Sequence, residues 1–254
     1  FSSSCSVYGQ SDKLPIDESS PLAKAESPYG NTKQIGEEIL FDAIRVSNFS
    51  GISLRYFNPA GAHDSTLIGE YPLNPPNNLV PVITQTAIGL RSSMTVFGND
   101  YDTPDGTCIR DYIHVVDIAQ AHIVAVERLM YKKNKERFET FNLGTGRGNT
   151  VLEVIHAFEK TNGIKLNYKI GERRSGDVEK IWADTFGKAE DNYLHGYVNP
   201  KAPDGGVPPK VVAFPVPDHL IGAFLAEDIP ISKSFILEKC QVLSTPAVND
   251  KAPV

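Results

Sequence analysis

The 254-residue sequence is poor in several things. It has three cysteines, Cys5, Cys108 and Cys240, odd in number and far apart. That excludes a disulfide framework and predicts reducing, cytoplasmic surroundings. No apolar run approaches the ~18 residues of a membrane span. With 25 basic against 31 acidic residues the net charge is −6, so no basic surface is available to attract nucleic acid or an anionic membrane. The six histidines lack metal-site spacing, and His114 and His122 are too far apart for a one-turn pair. No proline occurs between Asp105 and Asn199, whereas half of the 18 prolines lie from Pro200 to Pro253. The first stretch is free to form unbroken elements, while the second cannot hold long helices or central strands. We therefore divide the chain into residues 1–189 and a Pro-rich, unassigned segment 190–254. A Gly-x-Gly-x-x-Gly dinucleotide turn is missing too. The nearest candidate, Gly144-Thr-Gly146-Arg-Gly148-Asn149, puts asparagine in the last glycine's place and reads as a structural turn.

What is present fits a globular domain, with 41% hydrophobic and 22% charged residues. Strand and helix signals alternate through the first part. Phe1 to Val7 reads as a strand end running into a loop. Ser27 followed by Pro28 is a helix start, with Ile35, Ile39, Ala43 and Val46 recurring at helical spacing. Ile52 to Phe57 is β-rich and stops at Asn58, Pro59 and Gly61. Asp117 is expected to cap a second helix, with Ala121, Val124, Ala125 and Leu129 on its buried side. Thr140 to Leu143 reads as a strand, and Thr150 caps a third helix carrying Val154, Ile155 and Phe158. This alternation predicts a mostly parallel α/β sheet. Beyond Asp191, Val211 to Val216 reads as an edge strand, and Leu220 to Ala226 and Ser234 to Cys240 as short helices.

One group of residues carries chemistry. Tyr29 and Lys33 are four apart at the start of a helix, so they share a face. An ammonium beside a phenol favours the phenolate, from about 10 toward the working pH. Tyr29 would then serve as a general base for a substrate hydroxyl. Ser4, at a strand end, would hydrogen-bond the same oxygen. A bare Tyr-x-x-x-Lys is common by chance, so the surroundings decide. Cys5, beside Ser4, has no base nearby in sequence and reads as a small buried hydrophobe.

Those surroundings are Ser2-Ser3-Ser4-Cys5-Ser6-Val7-Tyr8-Gly9 and Ser27-Pro28-Tyr29-Gly30-Asn31-Thr32-Lys33. Together they resemble the active-site signature of extended short-chain dehydrogenases/reductases. Further stretches are similar to the UDP-glucose (UDP-galactose) 4-epimerase branch of that family. They are Leu54-Arg55-Tyr56-Phe57-Asn58-Pro59-Ala60-Gly61, Pro76-Asn77-Asn78-Leu79-Val80-Pro81, Phe97-Gly98-Asn99-Asp100-Tyr101, Arg110-Asp111-Tyr112-Ile113-His114 and Arg174-Ser175-Gly176-Asp177. The likeness runs in one register from Phe1 to about Ala189. Sugar dehydratases of the superfamily carry Asp-Glu where Cys5 and Ser6 stand, which counts against them.

The resemblance implies a fold, an activity and roles. The fold would be the later part of a Rossmann-type doubly wound parallel sheet plus a small α/β substrate-binding region. The activity would be reversible 4-epimerisation of UDP-galactose and UDP-glucose, by hydride transfer to bound NAD and a 4-keto intermediate. Tyr29 would be the acid/base, Lys33 the nicotinamide-ribose ligand and Ser4 the group orienting the sugar hydroxyl. Phe57 would lie near the nicotinamide. Asn58 would touch the nucleotide-sugar, and Asn78, Leu79 and Phe97 would line the uridine end. Arg110 and Arg174 would hold the diphosphate, and Asp177 would contact the uridine ribose. Relatives carry tyrosine or a small residue in place of Ile181, which leaves the range of sugars open. The partners would be a UDP-sugar and, for the intact enzyme, a second copy in a homodimer; nucleic acid and membranes would not be partners. Such enzymes carry their NAD fingerprint ahead of the serine segment, so the chain is expected to lack that half. The alternatives are an inactive UDP-sugar-binding remnant and a sibling enzyme acting on UDP-glucuronate.

Overall fold

The computed structural model describes residues 1–184 apart from 12, 64, 66–68, 71 and 73. The expected strand and helices beyond residue 191 lie outside the described residues, as do the segment 190–254 and the last five residues of the part before it. The elements are β1 (Ser2–Ser4), a 3-10 turn at Cys5–Tyr8, α1 (Pro28–Val46), β2 (Gly51–Tyr56), β3 (Asn58–Ala60), α2 (Leu79–Ala87), β4 (Met94–Phe97), β5 (Ile109–Arg110), β6 (Tyr112–His114), α3 (Val115–Met130), β7 (Phe138–Leu143), β8 (Asn149–Thr150), α4 (Val151–Asn162), β9 (Tyr168–Gly171) and β10 (Lys180–Ile181).

β1, β2 and β7 form a parallel sheet in that order, with Ser4 opposite Tyr56 and Tyr56 opposite Leu143. α1 crosses from β1 to β2, and α3 lies between β2 and β7 in sequence. The two helices cover opposite faces because side chains alternate along β2. Ile52 and Leu54 point to α3 and pack with Ile118, Ala121, Val124, Ala125 and Leu143. Full burial of each such aliphatic side chain stabilises by roughly 1.5–3 kcal/mol. Ser53 and Arg55 point to α1, where they meet Glu37. The Glu37 carboxylate accepts hydrogen bonds from Ser3 Oγ, Ser53 Oγ and both Nε and Nη2 of Arg55. Arg55 Nη1 also donates to Tyr8 Oη, which donates to Asn142 Oδ1. Burial raises the Glu37 carboxyl, but Arg55, Ser3 and Ser53 outweigh it and hold it below its ordinary value. One face of the sheet is thus aliphatic and the other a closed polar network.

Smaller pairings attach the second region. β3 runs parallel to β6, β4 to β9, and β5 lies between β10 (parallel) and β8 (antiparallel). α2 and α4 enclose a separate core around Ile83, Val96, Tyr112, Ile155 and Phe158.

Helix starts follow the sequence. Ser27 Oγ accepts from Gly30 N with Pro28 at the first position. Thr150 and Glu153 form a reciprocal capping box. One expectation is corrected and two are extended. Ile35, Ile39 and Val46 of α1 are exposed, Val46 at 89%; the buried stripe is Gly30, Glu37 and Ile44. Periodicity shows that apolar residues share a face, but here the polar network claims the inward one. Asp117 does not cap α3: His114 does, its Nδ1 accepting from Val116 N. Finally, Asn58–Ala60 is not merely a strand end but a short strand of its own, paired with β6 despite Pro59.

Candidate functional site

The site has two ends, joined by the chain from Tyr56 to Asn58. At one end, the Ser27 cap and Pro28 start α1 so that Tyr29 and Lys33 lie beside β1. Lys33 Nζ sits 5.4 Å from the centroid of the Tyr29 ring and donates to the carbonyl of Ser2 at 2.9 Å. Tyr29 is 57% exposed. Ser4 is buried at the end of β1, where its Oγ accepts from Ser6 N and starts the 3-10 turn. Tyr56, opposite Ser4 in the sheet, is raised by burial; a bond to Ser2 opposes this and the nearby Tyr29 adds to it. Its hydroxyl donates to Ser2 Oγ and lies 2.6 Å from His122 Nε2. Phe57 follows but turns inward, 3% exposed in a cluster with Val7, Tyr8, Ile16, Ile181 and Ala183. Cys5 is half-buried, and desolvation pushes its thiol up to about 12, which disfavours the thiolate at neutral pH.

The other end is a cavity of about 380 Å³. All seven residues expected to bind substrate line it: Asn58, Asn78, Leu79, Phe97, Arg110, Arg174 and Asp177. They come from β3, the start of α2, β4, β5 and the segment after β9. Arg110 Nη2 donates to Asp177 Oδ1 at 2.8 Å, and Arg174 Nε donates to Asp177 Oδ2 at 3.1 Å. One carboxylate thus aligns two guanidinium groups at the cavity wall. The Arg174 guanidinium also lies 5.0 Å from the Phe97 ring centroid. Asn78 bonds Glu70 and leaves α2 without a side-chain cap. Leu79 and Val80, the first turn of α2, line the cavity, and a helix N-terminus favours an anion. Two guanidinium groups, a helix start and an aromatic ring suit a nucleotide bearing phosphates.

The two ends touch. Gly176 adopts φ +75°, and a Cβ there would lie 2.8 Å from the Glu26 carbonyl oxygen. The stretch between Arg174 and Asp177 therefore passes directly against the chain entering α1.

Two features were not foreseen as working parts. The Glu37–Arg55 network fixes the inner face of α1, and so the helix bearing Tyr29. Its signal in sequence is a glutamate seven residues after Gly30, on the inward stripe. The second is Asp111, wholly buried next to Arg110. Its carboxyl group accepts from Thr145 N and Oγ1, Gly146 N and Ala183 N. Burial raises it, and these donors oppose the rise. They also bear on cofactor fit. The Gly144–Gly148 turn is poorly suited to cradle a pyrophosphate, because Asp111 already takes the N–H groups of Thr145 and Gly146. An ammonium beside a phenol, Lys33 with Tyr29, fits the hydroxyl groups of a nicotinamide ribose, while Ser4 lies two residues further along β1 than the Ser2 carbonyl that Lys33 meets. Among the described residues no strand pairs with the outer edge of β1. No group of His, Cys, Asp and Glu suited to a metal ion occurs among the described residues, and no described helix is long and apolar enough to cross a membrane.

Comparison with known proteins gives concordant matches. The model of the NAD dependent epimerase/dehydratase family matches residues 1–144. A UDP-glucose 4-epimerase of Drosophila melanogaster is 49% identical over 185 residues, covering 72% of this chain and 53% of that protein. The chain spans about half the length of the curated relatives it matches. Among solved structures, the UDP-glucose-4-epimerase of Stenotrophomonas maltophila, with bound NAD and formylated UDP-arabinopyranose, is 48% identical. It superimposes with a TM-score of 0.67 over 72% of this chain and 54% of its own. The Bifidobacterium longum UDP-glucose 4-epimerase, in complex with NAD+ and UDP, is 41% identical. Its TM-score is 0.70, over 81% of this chain and 64% of its own.

Proposed function

Since the chain belongs to the NAD dependent epimerase/dehydratase family, we propose that it carries the UDP-binding site and the acid/base group of a UDP-glucose 4-epimerase. The observation that supports this most is the cavity. Seven residues spread from Asn58 to Asp177 in sequence meet on one wall, with Asp177 bridging Arg110 and Arg174.

Each residue has a task. Arg110 and Arg174 neutralise the diphosphate, and Asp177 holds them in place and meets the uridine ribose. Phe97, Leu79 and Asn78 enclose the uridine. Asn58 holds the sugar end of the nucleotide-sugar. Tyr29 takes the proton from the sugar 4-hydroxyl and later returns it to the 4-keto sugar. Ser4 orients that oxygen by hydrogen bonding. Lys33 holds positive charge beside the Tyr29 ring and would meet the nicotinamide ribose, and Phe57 backs the nicotinamide end from the core. NAD, when bound, supplies the hydride acceptor. The exposed face of α1, with Ile35, Ile39, Phe41 and Val46, is the surface we assign to homodimer contact.

A second reading, UDP-sugar binding without turnover, is favoured by one observation: the exposed Tyr29 beside a β1 edge that pairs with no strand among the described residues. Two measurements on the 254-residue protein separate the readings. Calorimetric titration with UDP is expected to show saturable binding, and absence of binding would refute both. Incubation with NAD and UDP-galactose, followed by product chromatography, is expected to yield UDP-glucose under the first reading and none under the second.

A further inference from the structure

The loop after β4 and the segment after β9 run side by side, with Phe97 opposite Gly171 in register and Gly98 N bonded to Gly171 O. Two consecutive arginines follow on the β9 side, and they go different ways. Arg174 turns into the cavity, over Phe97 and onto Asp177. Arg173 turns away from it. Its guanidinium lies 4.0 Å from the centroid of the Tyr101 ring, its Nε donates to Asp100 Oδ1 at 2.8 Å, and its Nη2 donates to the Asp100 carbonyl. Tyr101 is buried and lies so close to Gly98 that a Cβ there would be 2.4 Å from its ring. Gly98, with φ +80°, leaves room for this ring. Arg173, over the ring and bonded to Asp100, then ties the loop to the segment that presents Arg174.

This ion pair is solvated, with side chains 45% and 67% exposed. Exposed pairs add little to global stability, so its removal is expected to leave the fold intact. What it does add is geometric. A planar guanidinium that both stacks and forks fixes its own backbone in a way that a point charge does not. The next residue is Arg174, whose placement decides whether a second cation faces the diphosphate.

We propose that Arg173 is a positioning residue for the diphosphate: clamped between Tyr101 and Asp100, it holds Arg174 over Phe97 and toward the bound phosphates. This rests on the reading of the cavity as a UDP site. It makes Asp100 and Tyr101, outside the cavity, contributors to nucleotide affinity through Arg173.

The test is calorimetric titration of the full 254-residue chain with UDP and with uridine. Arg173→Ala is expected to weaken UDP about tenfold, of the order expected for one charge-assisted contact, and to leave uridine affinity and the melting temperature unchanged. Arg173→Lys, which keeps the charge and loses the planar stack, is expected to behave like Arg173→Ala; wild-type UDP affinity in the lysine variant would overturn the clamp. Because Arg173 acts through Arg174, the double variant Arg173→Ala/Arg174→Ala is expected to bind UDP no more weakly than Arg174→Ala alone. Additive losses would show an independent role for Arg173 and overturn the proposal, as would equal weakening of UDP and uridine. If wild type binds no UDP, the cavity reading itself fails. If wild type binds UDP and Arg173→Ala matches it, this inference alone fails.

Discussion

In the cavity, Arg110, Arg174 and Asp177 hold one another, and each has a neighbour from a different segment. At the other end, Tyr29 stands largely in solvent and Lys33 reaches to a backbone carbonyl at the outer edge of β1. One end is organised before any ligand arrives. The other has its groups in place but not enclosed. Preorganised charge binds, and enclosed charge also catalyses, because exclusion of water strengthens every electrostatic contact. The comparison teaches that, under the proposed roles, nucleotide affinity and turnover would reside in separable parts of this chain.

The largest effect expected is on turnover. Tyr29→Phe should lower epimerisation about 10²–10⁴-fold, the usual worth of a positioned acid/base, while UDP affinity by calorimetry stays at wild type. Unchanged turnover would remove Tyr29 from the chemistry, and reduced UDP affinity would erase the separation of the two ends. Glu37→Ala leaves the Arg55 guanidinium buried without its carboxylate. A loss of about 3–5 kcal/mol is expected, read as a shift of the urea unfolding midpoint. A shift near zero would mean that the polar face of the sheet does not hold α1. The same network gives an acid limit. The folded Glu37 carboxyl lies below its ordinary value, so its contribution is complete above the unfolded value of ~4.3 and is lost as pH falls through the folded one. Arg110→Gln should cost about 2–3 kcal/mol of UDP binding, as for a charge-assisted pair, and little of uridine binding; equal losses for both would place Arg110 away from the phosphates.

The smallest effect serves as a control at a residue outside the cavity lining. Asp117, in the first turn of α3, is raised to about 6 by burial. Its folded value exceeds the unfolded ~3.9, so its contribution to stability is fully present below that value and is lost as pH rises through 6. Asp117→Asn should stabilise by about 1–2 kcal/mol at pH 7 and by nothing measurable at pH 4, with UDP affinity unaltered. A gain of equal size at both pH values would mean that burial of the charge is not the cause.

Local signals were legible wherever chemistry and structure coincide within a few residues. The Ser27–Pro28 start of α1 and the Thr150–Glu153 box of α4 are of this kind. The inward face of α1 was not, because Ile35, Ile39 and Val46 obey the helical period as well as Gly30, Glu37 and Ile44 do. Only the partner strand decides between the two stripes, and Ser3, Ser53 and Arg55 choose the glutamate. β3 escaped notice because Pro59 reads as a stop, yet a proline is tolerated in a strand whose outer side needs no donor. The seven cavity residues could be named only through family resemblance, since no spacing law connects Asn58 with Asp177. Arg173 escaped entirely: a single arginine in a turn carries no signal until Tyr101 is seen beneath it.

The Asp111 carboxyl group has a consequence of its own. It occupies the Gly144–Gly146 turn as a phosphate would occupy a nest of peptide N–H groups. The turn is an anion receptor that the chain has filled from within. Diffusible phosphate or sulfate therefore meets a carboxylate already seated on those N–H groups. A tethered carboxylate, at fixed effective concentration, outcompetes a free anion of similar intrinsic affinity and so closes the turn to ligands.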